Sequence, residues 1–267
     1  MMTNVSARHL SAALIYQLSW RMKSLGIYLV FYLIFAIGIP LTVAMVVTGG
    51  TTDGYVDVMT PAIIFSGIVA MIGSKSDFRF LLFNGLTRTM MFLCSVIALV
   101  VASAATTAVV VASRLLLSVG SLPIRSGALV ADQYAAGSVP TASAASALHG
   151  TGVAVMTLVV FLLVMVVSSV GMFMGVLMAR LGRRGRLTFG ALVFLVPTLV
   201  GFLLSRVDTR SLLRWLRDFG EAFLGIRSDG SLDFRPLSMT LLAVAFLFMA
   251  LAWLVGRRRG VDRVVQK

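Results

Sequence analysis

Two histidines, one cysteine and ten acidic residues among 267 leave little from which to build a metal or catalytic centre. No Gly-rich phosphate loop is present, no His-Glu or Cys pair stands at metal-ligand spacing, and no Asp cluster of the kind that holds magnesium occurs. Cys94, alone, excludes an intramolecular disulfide. Charge is scarce too: 12% of residues are charged and 59% are hydrophobic, far from the averages of soluble domains. An enzyme is not expected, and neither is a resident metal or cofactor.

Long uncharged runs are what the chain has instead. They cover Ser24 to Thr52, Val58 to Ser74, Thr89 to Ser113, Gln133 to Ala179, Leu187 to Ser205 and Pro236 to Gly256. Of the run that begins at Gln133, only the part from about Gly150 onward is dense in Val, Leu, Met and Phe. A helix needs roughly 20 apolar residues to cross the hydrocarbon core, with about 17 tolerated. The expectation is an all-α integral membrane protein, a single permease-like domain over 1–267. Its spans fall at about 25–48, 57–74, 89–115, 150–179, 187–205 and 236–256. The longest stretches between spans, Gly120 to His149 and Arg206 to Arg235, are too short to bury a core of their own. Met1 to Lys23 is too long and polar for the start of a cleavable signal peptide.

Charge placement orients these spans, because Lys and Arg are retained on the cytoplasmic side of short loops. An even number of spans puts both termini on one side. That side collects fifteen basic residues, from Arg8 to Lys267, against only Asp77 and Asp262, which is the whole net charge of +13. The other side, from Asp53 to Arg235, sums to zero. The chain is therefore expected in the cytoplasmic membrane, multi-pass, with both termini in the cytoplasm. Its pI of 11.3 reads as topology, and nucleic acid is not an expected partner. With these boundaries His9 and His149 fall on opposite faces, and no ionisable residue lies inside a span. That disfavours a proton relay, which needs intramembrane ionisable groups.

Three segments outside the spans carry pattern. Over Ser6 to Lys23, Ser11, Leu14, Ile15, Leu18 and Met22 share one helical face, with His9, Tyr16 and Lys23 opposite, which suggests a helix lying in the membrane interface. Between spans two and three, Ser76 or Asp77 is a good N-cap and Asn84-Gly85 a stop, so a short inner helix is expected. Its Phe78, Phe80, Leu81, Leu82 and Phe83 are more apolar surface than a cytoplasmic loop normally shows to water. Such a helix either lies against the bilayer or docks on another protein. On the outer side, Leu212, Trp215, Leu216, Phe219 and Phe223 form the apolar face of an amphipathic helix before the last span, a gate or a cap. Gly171 and Gly175 make a GxxxG pattern that could serve as a dimer face. Gly38 with Pro40, and Pro197 with Gly201, should kink the first and fifth spans.

The order of apolar span, Asp77-Phe78-Arg79-Phe80, Asn84-Gly85-Leu86-Thr87-Arg88 and a third span rich in small residues resembles the membrane subunits of type-2 ABC transporters, especially compact bacterial permeases. The resemblance extends to an interfacial elbow helix, six spans, inner termini and a membrane-dipping helix before the last span. It implies that Asp77, Phe78, Arg79, Phe80, Leu81, Leu82 and Phe83 form a coupling helix docked on a cytoplasmic ABC ATPase, with Arg88 anchoring the third span. It implies also a second permease, the same or a homologous chain, ATP hydrolysis on a separate polypeptide, and export of a hydrophobic or amphipathic cargo through the lipid bilayer. Two other readings stand beside it: the transmembrane coupling subunit of an energy-coupling-factor importer, and an immunity or regulatory membrane protein that moves nothing.

Overall fold

Where an apolar chain is kept from water, its peptide groups must bond to one another, and helices result. In the computed structural model, α1 covers Met2–Tyr32, α2 Met59–Phe83, α3 Arg88–Val119, α4 Leu129–Ala136, α5 Gly150–Arg180 and α6 Phe234–Arg257. The structure describes residues 2–39, 42–43, 46, 54–84, 86–119, 124–127, 129–136, 150–181, 185, 190, 195, 198, 217–227 and 231–257. Among the described residues, four helices are long and apolar enough to cross a membrane, Leu10–Phe35, Arg88–Leu117, Gly152–Arg180 and Phe234–Arg257, and Met59–Ser74 is a shorter apolar helix. These mark a membrane-embedded protein. Of the span expected over 187–205 only positions 190, 195 and 198 are described, each helical. Pro197 and Gly201 lie outside the described residues.

Side-chain contacts fix the directions. The Tyr16 ring stacks on Phe80 at 4.7 Å, Trp20 lies against Gly73, and Tyr28 stacks on Phe65 at 4.3 Å, so α1 and α2 are antiparallel. Gln17 meets Ser95 and Tyr32 meets Ser113, which makes α1 and α3 parallel. Gly171 lies on Gly67 and Gly175 on Met71, so α5 runs with α2. At the start of α3, the Arg88 guanidinium donates to the carbonyl of Arg257, the last residue of α6, at 2.6 Å. Thus α2, α5 and α6 all end, and α3 begins, at one end of the bundle, the basic end, where Arg88, Arg180 and Arg257 sit.

Leu10 to Phe35 is the part of α1 long and apolar enough to cross a membrane, and residues 6–23, expected as a separate interfacial helix, run without a break into the rest of α1. The buried face of α1 is Ala13, Gln17, Arg21, Leu25, Tyr28 and Tyr32, while Ile15 is 66% exposed. An amphipathic reading inverts inside a membrane. Lipid accepts the apolar side chains, and polar ones turn inward to other helices. Past Tyr32, α1 widens into a π-helical turn, Leu33–Gly38, closed by the Ile39 N–H on the Ile34 carbonyl. Proline at position 40 has no N–H to offer back, and the Thr42 hydroxyl donates to the Gly38 carbonyl at 2.8 Å.

The expected inner loop is also revised. Neither Ser76 nor Asp77 caps a new helix: the Ser76 hydroxyl donates back to the Ile72 and Gly73 carbonyls, each at 3.2 Å, and α2 runs on to Phe83. Asp77 to Phe83 are therefore the last turns of α2 and not a separate helix. The stop does come at Asn84, whose amide side chain and backbone N–H both take the Phe80 carbonyl. Thr87 then starts α3 by accepting from the Met90 N–H at 3.3 Å.

At the far end, strands β1 (Gly54–Asp57) and β2 (Ile124–Gly127) pair in parallel, the small exception to an all-helical fold. Asp57 closes β1 by capping α2, its Oδ1 accepting from Met59 at 2.9 Å and Thr60 at 3.3 Å. Arg114 of α3 pairs with Asp132 of α4 at 3.4 Å, and the Tyr134 hydroxyl donates to the Leu224 carbonyl. Of the expected outer amphipathic helix, Leu212, Trp215 and Leu216 lie outside the described residues. Phe219 and Phe223 are present on helical turns at 217–224, with their rings 4.9 Å apart and both exposed. Gly225 (φ +67) ends that segment, where a Cβ would sit 2.1 Å from the Asp233 carbonyl oxygen.

The GxxxG pair has its partner within the chain. A Cβ on Gly171 would lie 2.2 Å from the Gly67 carbonyl oxygen, and one on Gly175 2.3 Å from that of Met71. The small face expected to meet a second copy is covered by α2, and it lets the α2 and α5 backbones approach closely.

Candidate functional site

The buried interior is layered. One apolar cluster fills the far half, built on Leu25, Tyr28, Val58, Ala62, Val110, Met156 and Val160, and a smaller one lies at the basic end around Ala13, Leu81, Met91, Cys94 and Val176. Between them all four central helices turn polar side chains inward: Gln17 and Arg21 from α1, Ser66 and Ser74 from α2, Ser103, Thr106 and Thr107 from α3, and Ser168 and Ser169 from α5. Most of these hydroxyls are absorbed by their own helices. Ser66 donates to Ile63, Ser74 to Ala70, Thr106 to Ala102, Thr107 to Ser103 and Ser169 to Val166, all within 2.9 Å. Gln17 bridges helices, its Nε2 donating to Ser95 Oγ at 3.1 Å.

Three side chains of this layer keep a buried atom without a hydrogen-bond partner, Gln17 Oε1, Ser103 Oγ and Arg21 Nε, and of these Arg21 carries a charge. It is 3% exposed, it falls inside the Leu10–Phe35 segment, and its Nε has no hydrogen-bond partner. The charge set against it is Asp77, also 3% exposed, whose Oδ2 is likewise without a partner. Burial pushes the Asp77 carboxyl up to about 6, with the Arg21 charge and a long 3.5 Å bond from Ser76 pulling the other way. A cleft lined by Arg21, Phe65, Ser66, Val69, Thr106 and Ser168 opens beside the guanidinium.

A second cleft lies at the basic end, lined by Ser74, Arg88, Phe92, Val176, Trp253 and Arg257 among others. Arg88 holds the α6 terminus here, where a cation meets the negative end of the helix dipole, and the Arg257 guanidinium lies 5.2 Å from the centre of the Trp253 ring. Of the segment expected to dock an ATPase, Asp77 and Leu81 are buried and Phe80 is 48% exposed beside Tyr16. The side chains of Phe78, Arg79, Leu82 and Phe83 lie outside the described residues. Among the described residues, no group of three or more His, Cys, Asp or Glu side chains is placed to hold a metal ion.

Sequence reasoning missed that Arg21 and Asp77 are both buried and feel each other's charge, because both were assigned to the cytoplasmic side. The signal was there in the four-residue spacing Ala13, Gln17, Arg21, Leu25, a polar pair set between apolar residues on one face. Comparison with known proteins adds no neighbour. No family model, curated protein or solved structure matches the chain.

Proposed function

We propose that this chain is the permease subunit of an ATP-driven ABC exporter. It would move a hydrophobic or amphipathic cargo such as a peptide, lipid or drug, with ATP hydrolysed on a separate cytoplasmic subunit and a second permease completing the path. One observation carries the reading: the turn Asn84-Gly85-Leu86-Thr87-Arg88, which resembles the inner loop of those permeases, stands at the basic end of the bundle beside the exposed aromatic pair Tyr16 and Phe80. Retention of cations on the cytoplasmic side makes that end the inner one. Since α5 and α6 both end there, a return of the chain must come between them, and a sixth crossing over 187–205 would supply it. The docking element is the end of α2 itself. A push on it from the ATPase would travel along a rigid helix to the glycine contact with α5.

The test is the double change Phe80→Ala and Phe83→Ala. Aromatics buried at an interface commonly cost about 2 kcal/mol or more when truncated. The variant should insert and fold as before, yet release the ATPase on purification and lose ATP-driven transport. Full coupling with full ATPase recovery would reject the docking assignment.

Arg21 and Asp77 favour a second reading, transport coupled to protons through Asp77, since ionisable groups buried within a membrane bundle are the usual hardware of ion coupling. Transport in vesicles supplied with ATP separates the two. Persistence under an uncoupler supports the ATP-driven reading, and collapse with ATP still present supports the proton-coupled one.

A further inference from the structure

We propose that the exposed end of α6 binds an anionic phospholipid of the bilayer, with the headgroup phosphate at Arg88 and Arg257 and the acyl chains along the apolar stripe that leads to them. The site needs neither an ATPase nor a cargo, so it goes beyond the exporter reading and stands or falls separately.

Three observations support it. One face of α6 is exposed along the helix: Ala243, Phe246, Leu247, Ala250 and Leu254 recur on it at helical spacing. Arg257 follows Leu254 by three residues and continues that stripe, so a cation stands where the apolar surface ends. A phospholipid has the same order, acyl chains and then a charged head. Next, the Arg88 guanidinium reaches the Arg257 carbonyl at 2.6 Å, and both side chains line one cleft with no acidic residue in its lining. Like charges gathered in this way repel, and the negative end of the α6 dipole offsets only part of their charge. A phosphate oxyanion answers both, because a guanidinium carries five donors and Arg88 gives Nη1 to the carbonyl. The sequence adds to the excess: Arg257, Arg258, Arg259, Arg263 and Lys267 stand against Asp262 alone, a basic cluster directly after a crossing helix. Trp253, with the Arg257 guanidinium 5.2 Å from its ring centre, is an aromatic of the kind that sits at headgroup level. A zwitterionic lipid would bring a second cation to the pair. Free phosphate would leave the stripe unmet.

The test uses the purified full chain in dioleoylphosphatidylcholine liposomes, with Trp20→Phe and Trp215→Phe leaving Trp253 as the fluorescent reporter. Phosphatidylglycerol or phosphatidylcholine with dibrominated acyl chains is mixed in at rising fraction, and bromine quenches Trp253 when the lipid lies beside it. Each basic side chain near an anionic surface is worth about fivefold in binding, so phosphatidylglycerol should quench at about tenfold lower fraction than phosphatidylcholine. Arg257→Gln should cut that preference about fivefold while keeping the bond from Arg88, which is made to the backbone, and Arg257→Lys should retain most of it. Adding Arg88→Gln should abolish the preference; should that double variant fail to fold, Arg257→Gln alone decides. Arg180→Gln removes an exposed cation of α5 at the same end and should leave the preference unchanged. The proposal is overturned if the two lipids quench the wild type equally, or if neither quenches it, as when a second copy covers the stripe. It is overturned too if Arg180→Gln lowers the preference as much as Arg257→Gln, the mark of bulk surface charge, or if inorganic phosphate displaces phosphatidylglycerol.

Discussion

At Asp77, burial and charge pull in opposite directions, and burial is the larger influence. Its carboxyl holds a proton up to about pH 6 in the folded chain, whereas an unfolded Asp releases it near 3.9. The folded state therefore binds the extra proton between those values. Asp77 leaves stability highest below the lower value, and stability falls as pH rises to about 6. The change should be on the order of 3 kcal/mol. Thermal unfolding of the purified protein from pH 4 to 8 should show that fall in the wild type and its loss in Asp77→Asn. A wild-type stability that rises across the window, with the rise absent in the variant, would mean that Arg21 holds the carboxylate charged. Gly171 tests packing at the same scale. Gly171→Leu places side-chain atoms where even a Cβ would be 2.2 Å from a backbone oxygen, so α2 and α5 must separate. Overpacking of this kind costs about 1–3 kcal/mol or more. An unchanged melting temperature would contradict the close approach of α2 and α5.

Among the elements, α1 departs furthest from its sequence pattern. If Leu10 to Phe35 is the span, position 23 lies within the bilayer and position 8 outside it. In a Cys94→Ser background, Arg8→Cys should react with an aqueous maleimide in opened membranes, and Lys23→Cys should react much more slowly. A span at 25–48 would instead leave both positions reactive. The α3–α6 junction gives a second test. Arg88→Gln removes the donor to the Arg257 carbonyl. A bond to a charged group is worth about 1.5–3 kcal/mol when shielded, and less at this partly exposed site. A modest fall in melting temperature is expected, with faster proteolysis at the end of α6. Much of α2 and α3 was legible beforehand, because their starts and stops are local chemistry. Asp57, Asn84 and Thr87 each act on backbone within a few residues.

For the whole molecule, sidedness decides the functional reading, and thiol labelling reads it directly. In the same Cys94→Ser background, cysteines at Ser126 and Ser231 should react with an impermeant reagent in intact cells, and those at Ser76 and Gly182 should not. The reverse pattern would invert the molecule and remove the basic end from the cytoplasm, and with it the ATPase reading. Among the described residues, Arg88, Arg180 and Arg257 share one end of the bundle, while Asp57, Arg114, Asp132 and Asp233 lie at the other. Arg21 and Lys23 leave the charged end and enter the length of α1.

Composition and run length determined by themselves that this is a membrane protein of long helices, because a bilayer admits few other ways to satisfy the backbone. Local capping determined where α2 stops and α3 starts. Which face of α1 is buried was decided only in three dimensions, since lipid and protein interior are equally apolar and hydrophobicity does not tell one from the other. The same holds for Gly171 and Gly175, whose spacing promised a close helix contact without naming the partner. Arg21 shows the division most clearly. A single arginine near the start of a chain looks solvated, and only the packing of α2, α3 and α5 around it makes it a buried charge.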